Sequence, residues 1–176
     1  TGGTSTTAYL ERAIASCTEW IYEHTIHLTA EAIKEEFGAV VFDEALKFSI
    51  VRHPVDRYIS ACRECEVDAN SPKTWDRIRH GIHPHDGGKP EYHIFVTQVD
   101  STFVDNQQAC QIFKFEKDLP HGVFAWLKAQ GLVCPEFPHK LPGEGFLPPK
   151  QELTAEALAF VKDFYACDFE VFGYEP

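Results

Sequence analysis

LKFSIVRHPVDRYISA, residues Leu46 to Ala61, is the stretch from which the rest of the chain is read. Phe48 to Val51 is a short apolar run with the character of a buried strand, and it leads directly into Arg52. His53-Pro54 then makes a turn, after which Val55, Tyr58, Ile59 and Cys62 recur at i, i+3, i+4 and i+7, the spacing of one helix face. Pro54 suits the first turn of that helix, where its missing N–H has no partner to lose. Open α/β sheets bind ligands at the carboxyl ends of their strands, and helix N-termini attract anions. Arg52 therefore stands where an anion is expected, with Ser60 two helical turns further on. The competing reading of Arg52 is a structural ion pair with a neighbouring carboxylate such as Asp56.

Composition sets the frame around this unit. A chain of 176 residues suffices for one domain, 1–176, with one sizeable core. Its 44% apolar and 13% aromatic content belongs to a soluble globular protein. No apolar run is long enough for a membrane span, and no signal peptide is visible. A net charge of −11 argues against nucleic acid as a partner, which calls for a basic footprint, but permits a local basic pocket for a small anion. The cysteines are scattered; Cys62-x-x-Cys65 has metal or redox spacing but no second pair, so structural, reduced thiols and a reducing, cytoplasmic compartment are expected. His80, His83, His85 and Asp86 match no zinc pattern and read as a solvated loop, so no metal site is assigned.

Along the chain, TGGTSTT (Thr1 to Thr7) is a glycine- and hydroxyl-rich opening before a helical pattern at Leu10, Ile14, Cys17 and Ile21. Glycines allow close backbone approach to an anion and hydroxyls add donors, although no G-x-x-x-x-G-K-[ST] is present. Trp20 to Leu28 suggests a short strand with His24 and His27. Thr29 is an N-cap, with Leu28 and Ile33 spaced as a hydrophobic staple and Gly38 as the stop. Residues 63–90 are polar, with turn signals at Asn70-Ser71-Pro72 and Asp86-Gly87-Gly88, and read as an irregular insertion able to cover an acceptor. Tyr92 to Gln98 and Cys110 to Phe115 have strand character. Asp118 is the expected cap of a helix running to Gln130, with Val123, Trp126 and Leu127 on one side and Gly131 beyond its end. Cys134 to Lys150 is a Pro/Gly-rich loop. Thr154 caps a final helix with Leu158, Val161 and Tyr165 as its stripe, and DFEVFGYEP closes the chain as packing.

An apolar strand, then Val-Arg-x-Pro-x-x-Arg, then Ser eight residues after the first Arg, resembles the 3′-phosphate-binding segment of sulfotransferases, in the branch that holds the carbohydrate sulfotransferases and their bacterial relatives. TGGTSTT is similar to the tail of that family's 5′-phosphosulfate loop, HLTAEAIKEEFG to its His-x-(Ser/Thr)-Ala-x-x-Ile-Lys stretch, FKFEKDL to its strand-plus-Glu-x-Leu segment, and DFEVFGYEP to its C-terminal Asp-x-x-x-Phe-Gly-Tyr. The resemblance implies a P-loop-like three-layer α/β/α fold around a mainly parallel sheet. It implies transfer of a sulfuryl group from PAPS (3′-phosphoadenosine 5′-phosphosulfate, leaving PAP) to an acceptor hydroxyl on a carbohydrate or small molecule. Gly2, Gly3, Thr4, Ser5 and Thr6 would wrap the 5′-phosphate and sulfate, while Arg52 and Ser60 would hold the 3′-phosphate. His27, twenty-five residues before Arg52, would be the general base, with His24 in reserve. Lys140 and Lys150 are further candidates for the 3′-phosphate, and Glu116 for orienting site groups or capping. The family's loop lysine would immediately precede Thr1, so the resemblance also implies a chain that is truncated or catalytically incomplete. Family members in eukaryotes are often Golgi membrane enzymes, which would place a eukaryotic fragment in the Golgi lumen. A non-catalytic nucleotide- or anion-binding module of the same fold is the alternative of a different class. A P-loop kinase is disfavoured by the absent Walker lysine.

Overall fold

The structure, a computed structural model, describes residues 28–82, 92–132 and 150–176. The expected helix over Leu10 to Ile21 and strand at Trp20 to Leu28 lie outside the described residues.

Helix α1 (Ala30–Phe37) starts where Thr29 Oγ1 accepts from the Ala32 N–H at 3.2 Å and stops at Gly38, whose φ of 80° suits glycine. A second short helix, α2 (Ala39–Glu44), follows directly. Strand β1 (Phe48–Val51) and helix α3 (Pro54–Glu64, with Pro54 in its first turn) then fall where the sequence puts them. The expected apolar stripe of α3 shifts slightly: Tyr58, Ala61 and Cys62 are its deeply buried members, and Val55 and Ile59 are half-buried.

The segment expected to be an irregular insertion contains helix α4 (Pro72–Arg79). It buries only Thr74 and Ile78, so its apolar signal in sequence is faint, and Trp75 secures it by stacking on Phe160 at 5.7 Å. The strand expected over Tyr92 to Gln98 is instead a 3₁₀ turn (Tyr92–Phe95) followed by helix α5 (Gln98–Thr102). Capping overrides composition here. Thr97 Oγ1 accepts from the Asp100 N–H at 3.1 Å, while the Phe95 carbonyl accepts from the Tyr165 hydroxyl at 2.9 Å. Strands β2 (Phe103–Val104) and β3 (Gln107–Gln108) form a small antiparallel hairpin.

Strand β4 (Gln111–Lys114) runs parallel to β1 in the register Phe48↔Gln111 to Val51↔Lys114. It passes into the short helix α6 (Phe115–Asp118), and the longer helix α7 (His121–Ala129) follows. Asp118 is therefore not the cap of the long helix. Its Oδ2 accepts from the Lys114 N–H at 2.6 Å, and Pro120, which cannot donate to a preceding turn, separates the two helices. Val123 and Leu127 of α7 are fully buried against Phe113, with Phe48 and Ile50 packed beside them, so α7 covers one face of the β1–β4 pair. The C-terminal part forms two helices, not one: α8 (Ala155–Phe164), capped by Thr154, and α9 (Ala166–Phe172), ended by Gly173 in the left-handed region. Phe160, Val161, Tyr165 and Phe169 from this pair meet Tyr58, Cys62, Ile78 and Phe95 in the largest core cluster among the described residues. The result is a mixed helix-and-strand architecture with a small parallel sheet, in keeping with the expected α/β class.

Candidate functional site

Parallel pairing of Val51 with Lys114 means that β1 and β4 end together. The residues that follow, Arg52-His53 on one strand and Phe115-Glu116 on the other, emerge side by side. The Arg52 guanidinium lies over the Phe115 ring, 5.0 Å from its centroid, a cation–π contact that holds the head of a long side chain. Glu116 Oε1 accepts from the His53 N–H at 2.8 Å, and Oε2 accepts from the Tyr174 hydroxyl at 3.0 Å. The same hydroxyl approaches the Val51 carbonyl at 3.4 Å. The His53 ring packs edge-on against Phe169 and Tyr174 at 5.6 and 5.3 Å, and the Lys114 ammonium sits 4.4 Å from the Tyr174 ring centroid. Among the described residues no ion pair joins Arg52 to Asp56; the carboxylate that feels Arg52 is Glu116. Burial alone would raise the Glu116 carboxyl, but the hydrogen bonds from His53 and Tyr174, with the Arg52 charge, hold it below the ordinary value.

On another side of the turn, the Gln98 side-chain amide brackets Arg52. Its Oε1 accepts from the Arg52 N–H at 2.7 Å, and its Nε2 donates to the Arg52 carbonyl at 2.9 Å. Gln98 is held in turn by the fully buried Asp168, whose carboxylate accepts from the Gln98 and Val99 N–H groups, both at 2.9 Å, and from Gln98 Nε2 at 3.3 Å. Burial pushes the Asp168 carboxyl up from its ordinary value, against the pull of these donors and of Arg57. Asp168 thus serves the open end of α5 as a capping acid supplied from α9.

Ser60, two turns into α3, is half-buried. Arg57, on the same helix, has one guanidinium nitrogen, Nη1, buried without a hydrogen-bond partner, while the group as a whole sits 5.9 Å from the Tyr165 ring. Gly2, Gly3, Thr4, Ser5, Thr6, His24, His27 and Lys140 lie outside the described residues; Lys150 is exposed. His80 ends α4, with its Nδ1 2.8 Å from the Asp76 carbonyl, and His83, His85 and Asp86 lie outside the described residues. A cavity of about 280 Å³ opens beside the turn, lined by His53, Asp56, Leu158, Lys162 and Glu175 among others, but not by Arg52 or Ser60. Its two carboxylates make it a poor receptor for a bisphosphate.

Three residues of this arrangement escaped the sequence reading. Gln98 fell within an expected strand and carried no signal. Asp168 is one of three acids in the closing DFEVFGYEP, and nothing local marks it as the one that is buried. Tyr174 was read as apolar packing, yet its hydroxyl is one of the ties between the C-terminal residues and the strand ends, beside the contacts of His53 with the Glu175 carbonyl and of Lys114 with the Gly173 carbonyl. The fold and this turn define an α/β domain whose arginine-bearing strand–turn–helix unit is set at the ends of two parallel strands. The model of the sulfotransferase family matches residues 11–117, a span that includes β1, α3, β4 and Glu116, and the chain belongs to that family. No curated protein and no solved structure matches it.

Proposed function

We propose that this chain is a single sulfotransferase domain that moves a sulfuryl group from PAPS to a hydroxyl of a carbohydrate or small-molecule acceptor. In this reading the β1–β4 pair belongs to the central sheet of a P-loop-like three-layer fold. The observation that carries the proposal is Arg52: a cation at the joined carboxyl ends of two parallel strands, with His53 alone between it and an eleven-residue helix, inside the span matched by the family.

The residues present fit an anionic nucleotide. Arg52 offers a planar guanidinium suited to bidentate phosphate contacts. Helix geometry leaves the N–H groups of Val55 and Asp56 without intrahelical partners, and the helix dipole adds positive character at that end. Bound PAPS supplies the sulfuryl group and, as PAP, its leaving group. Arg52 and Ser60 hold the 3′-phosphate, and the backbone and hydroxyls of Gly2, Gly3, Thr4, Ser5 and Thr6 surround the 5′-phosphate and sulfate. His27 takes the proton of the acceptor hydroxyl, a task that suits an imidazole titrating near neutrality. Donors around a transferring group stabilise charge as they do in phosphoryl transfer, so the residues assigned here need no metal ion to complete the set.

Calorimetric titration with PAP, using adenosine 5′-monophosphate as the control that lacks only the 3′-phosphate, tests this reading. Micromolar binding with a clear preference for PAP is expected. Equal affinity for the two nucleotides, or none for either, would sink it.

A further inference from the structure

The strand–helix turn is held by side chains where backbone partners run out. Beyond Val51 the β1–β4 ladder ends. Every polar backbone group described above at this turn then finds a side chain: the Val51 carbonyl meets Tyr174, the Arg52 N–H and carbonyl meet Gln98, and the His53 N–H meets Glu116. The two bonds made by Gln98 imitate a ladder pair, with one planar amide standing in for the peptide of a neighbouring strand. Its orientation is determined. Turning the amide over would aim Oε1 at the Asp168 carboxylate and Nε2 at the Arg52 N–H, losing all three bonds. Gln98 is 5% exposed and Asp168 is 0% exposed, so water cannot readily replace either partner.

We infer that Gln98, locked in place by Asp168, is a positioning residue that sets the backbone of Arg52 and thereby aims its guanidinium at the 3′-phosphate. The inference rests on the nucleotide reading above. Bidentate recognition of a phosphate depends on the angle at which the guanidinium arrives, and an arginine carries several free rotors. Fixing its backbone and stacking its head on Phe115 lowers the ordering cost that binding would otherwise meet. Removing the amide leaves both Arg52 backbone groups in search of new partners, and the side chain departs from its direction. The ligand loses only those contacts that Arg52 makes.

A loss confined to the contacts of Arg52 separates this role from simple support of the fold. Dissociation constants for PAP and adenosine 5′-monophosphate are measured on the wild-type chain, Arg52→Ala, Gln98→Met and the double variant. Loss of outer groups that orient a binding residue costs about tenfold or more in affinity, and Gln98→Met is expected to lose that much for PAP. Its affinity for adenosine 5′-monophosphate stays at the wild-type value, and in the Arg52→Ala background the same change has no further effect. Wild-type PAP affinity in Gln98→Met, an equal loss for both nucleotides, or a full additional loss in the double variant overturns the inference. A wild-type chain without preference for PAP, or an Arg52→Ala variant that binds PAP normally, overturns the nucleotide reading instead. If Gln98→Met fails to fold, Gln98→Glu decides the matter. Its protonated carboxyl can accept from the Arg52 N–H and donate to the Arg52 carbonyl, whereas its carboxylate faces both that carbonyl and Asp168. PAP affinity relative to wild type at the same pH then rises as pH falls from about 8 to about 5. A flat ratio overturns the positioning role.

Discussion

Glu116 ties two separate parts of the chain to the turn, and its protonation state decides how strongly. As an ionised carboxylate it accepts from both His53 and Tyr174, and its folded-state value is held below the ordinary 4.5. A carboxyl lowered on folding contributes stability that is fully present above its unfolded value and disappears as pH falls through the folded one. Wild type should therefore exceed Glu116→Gln in urea-unfolding stability by more at about pH 7 than at about pH 3. An identical gap at both values would show that the charge on Glu116 does not contribute. Asp168, raised by burial, acts in the opposite sense, losing stability as pH rises from 3.8 through its folded value. It is common to both proteins and cancels in the comparison. The thiols give a second test at this scale. Burial pushes Cys62 up to about 12 and Cys110 up to about 11, so neither should be alkylated in the native protein at about pH 8, although both should react after unfolding. Peptide mapping that finds Cys62 modified without denaturant would contradict that burial. Arg52 was legible in the sequence because a cation after an apolar strand and before a proline-started helix is a local pattern. Gln98 and Asp168 were not, because their partners lie 46 and 70 residues away and no local spacing encodes the meeting.

At the scale of elements, local chemistry decided which readings held. β1, α3, β4 and α7 were visible because each combines an apolar period with a clear stop or start. α4 was missed because two buried positions in eight residues do not make a stripe. The strand expected over Tyr92 to Gln98 gave way because aromatic content says nothing about which backbone partners are present. Capping threonines were the most dependable signals, at Thr29 and Thr154 alike. Thr154 Oγ1 accepts from the Ala157 N–H at 3.2 Å, at the head of a helix that buries Ala157, Phe160 and Val161. Thr154→Ala should cost about 1 kcal/mol, seen as a lower urea midpoint with an unchanged slope. No change in midpoint would mean that the first turn of α8 is held by packing alone. A loss of similar size is expected in the core of α3. Leaving Tyr58 as phenylalanine forfeits its 2.7 Å bond to the Ala69 carbonyl, yet that acceptor keeps the Trp75 indole N–H at 2.9 Å. The cost therefore stays near 1 kcal/mol and does not reach that of a stranded buried group.

Across the whole molecule, the turn that carries Arg52 depends on segments far apart in the chain. Gln98 comes from the middle, Glu116 from the end of the family-matched span, and Asp168 and Tyr174 from beyond residue 117. Packing of α8 and α9 is thus part of the site's architecture as well as of the core. With a net charge of −11, the chain as a whole repels polyanions, so the proposed binding of a bisphosphate would rely on local donors and not on the overall field. The same balance disfavours a heavily sulfated polysaccharide as the acceptor. In the proposed reaction, affinity and chemistry reside in different residues, and that division can be measured. Arg52 anchors the nucleotide, so Arg52→Ala should weaken PAP binding by about 2–4 kcal/mol. His27 acts only on the acceptor proton. His27→Ala should bind PAP as wild type does while turnover of PAPS, with whichever acceptor supports the fastest wild-type rate, falls about a hundredfold or more. Turnover retained in full would remove His27 from the base position. A matching loss in His24→Ala, with His27→Ala unaffected, would move the role to His24. Loss of PAP affinity in His27→Ala would show instead that this histidine supports the nucleotide site, and its effect on rate would no longer identify a base.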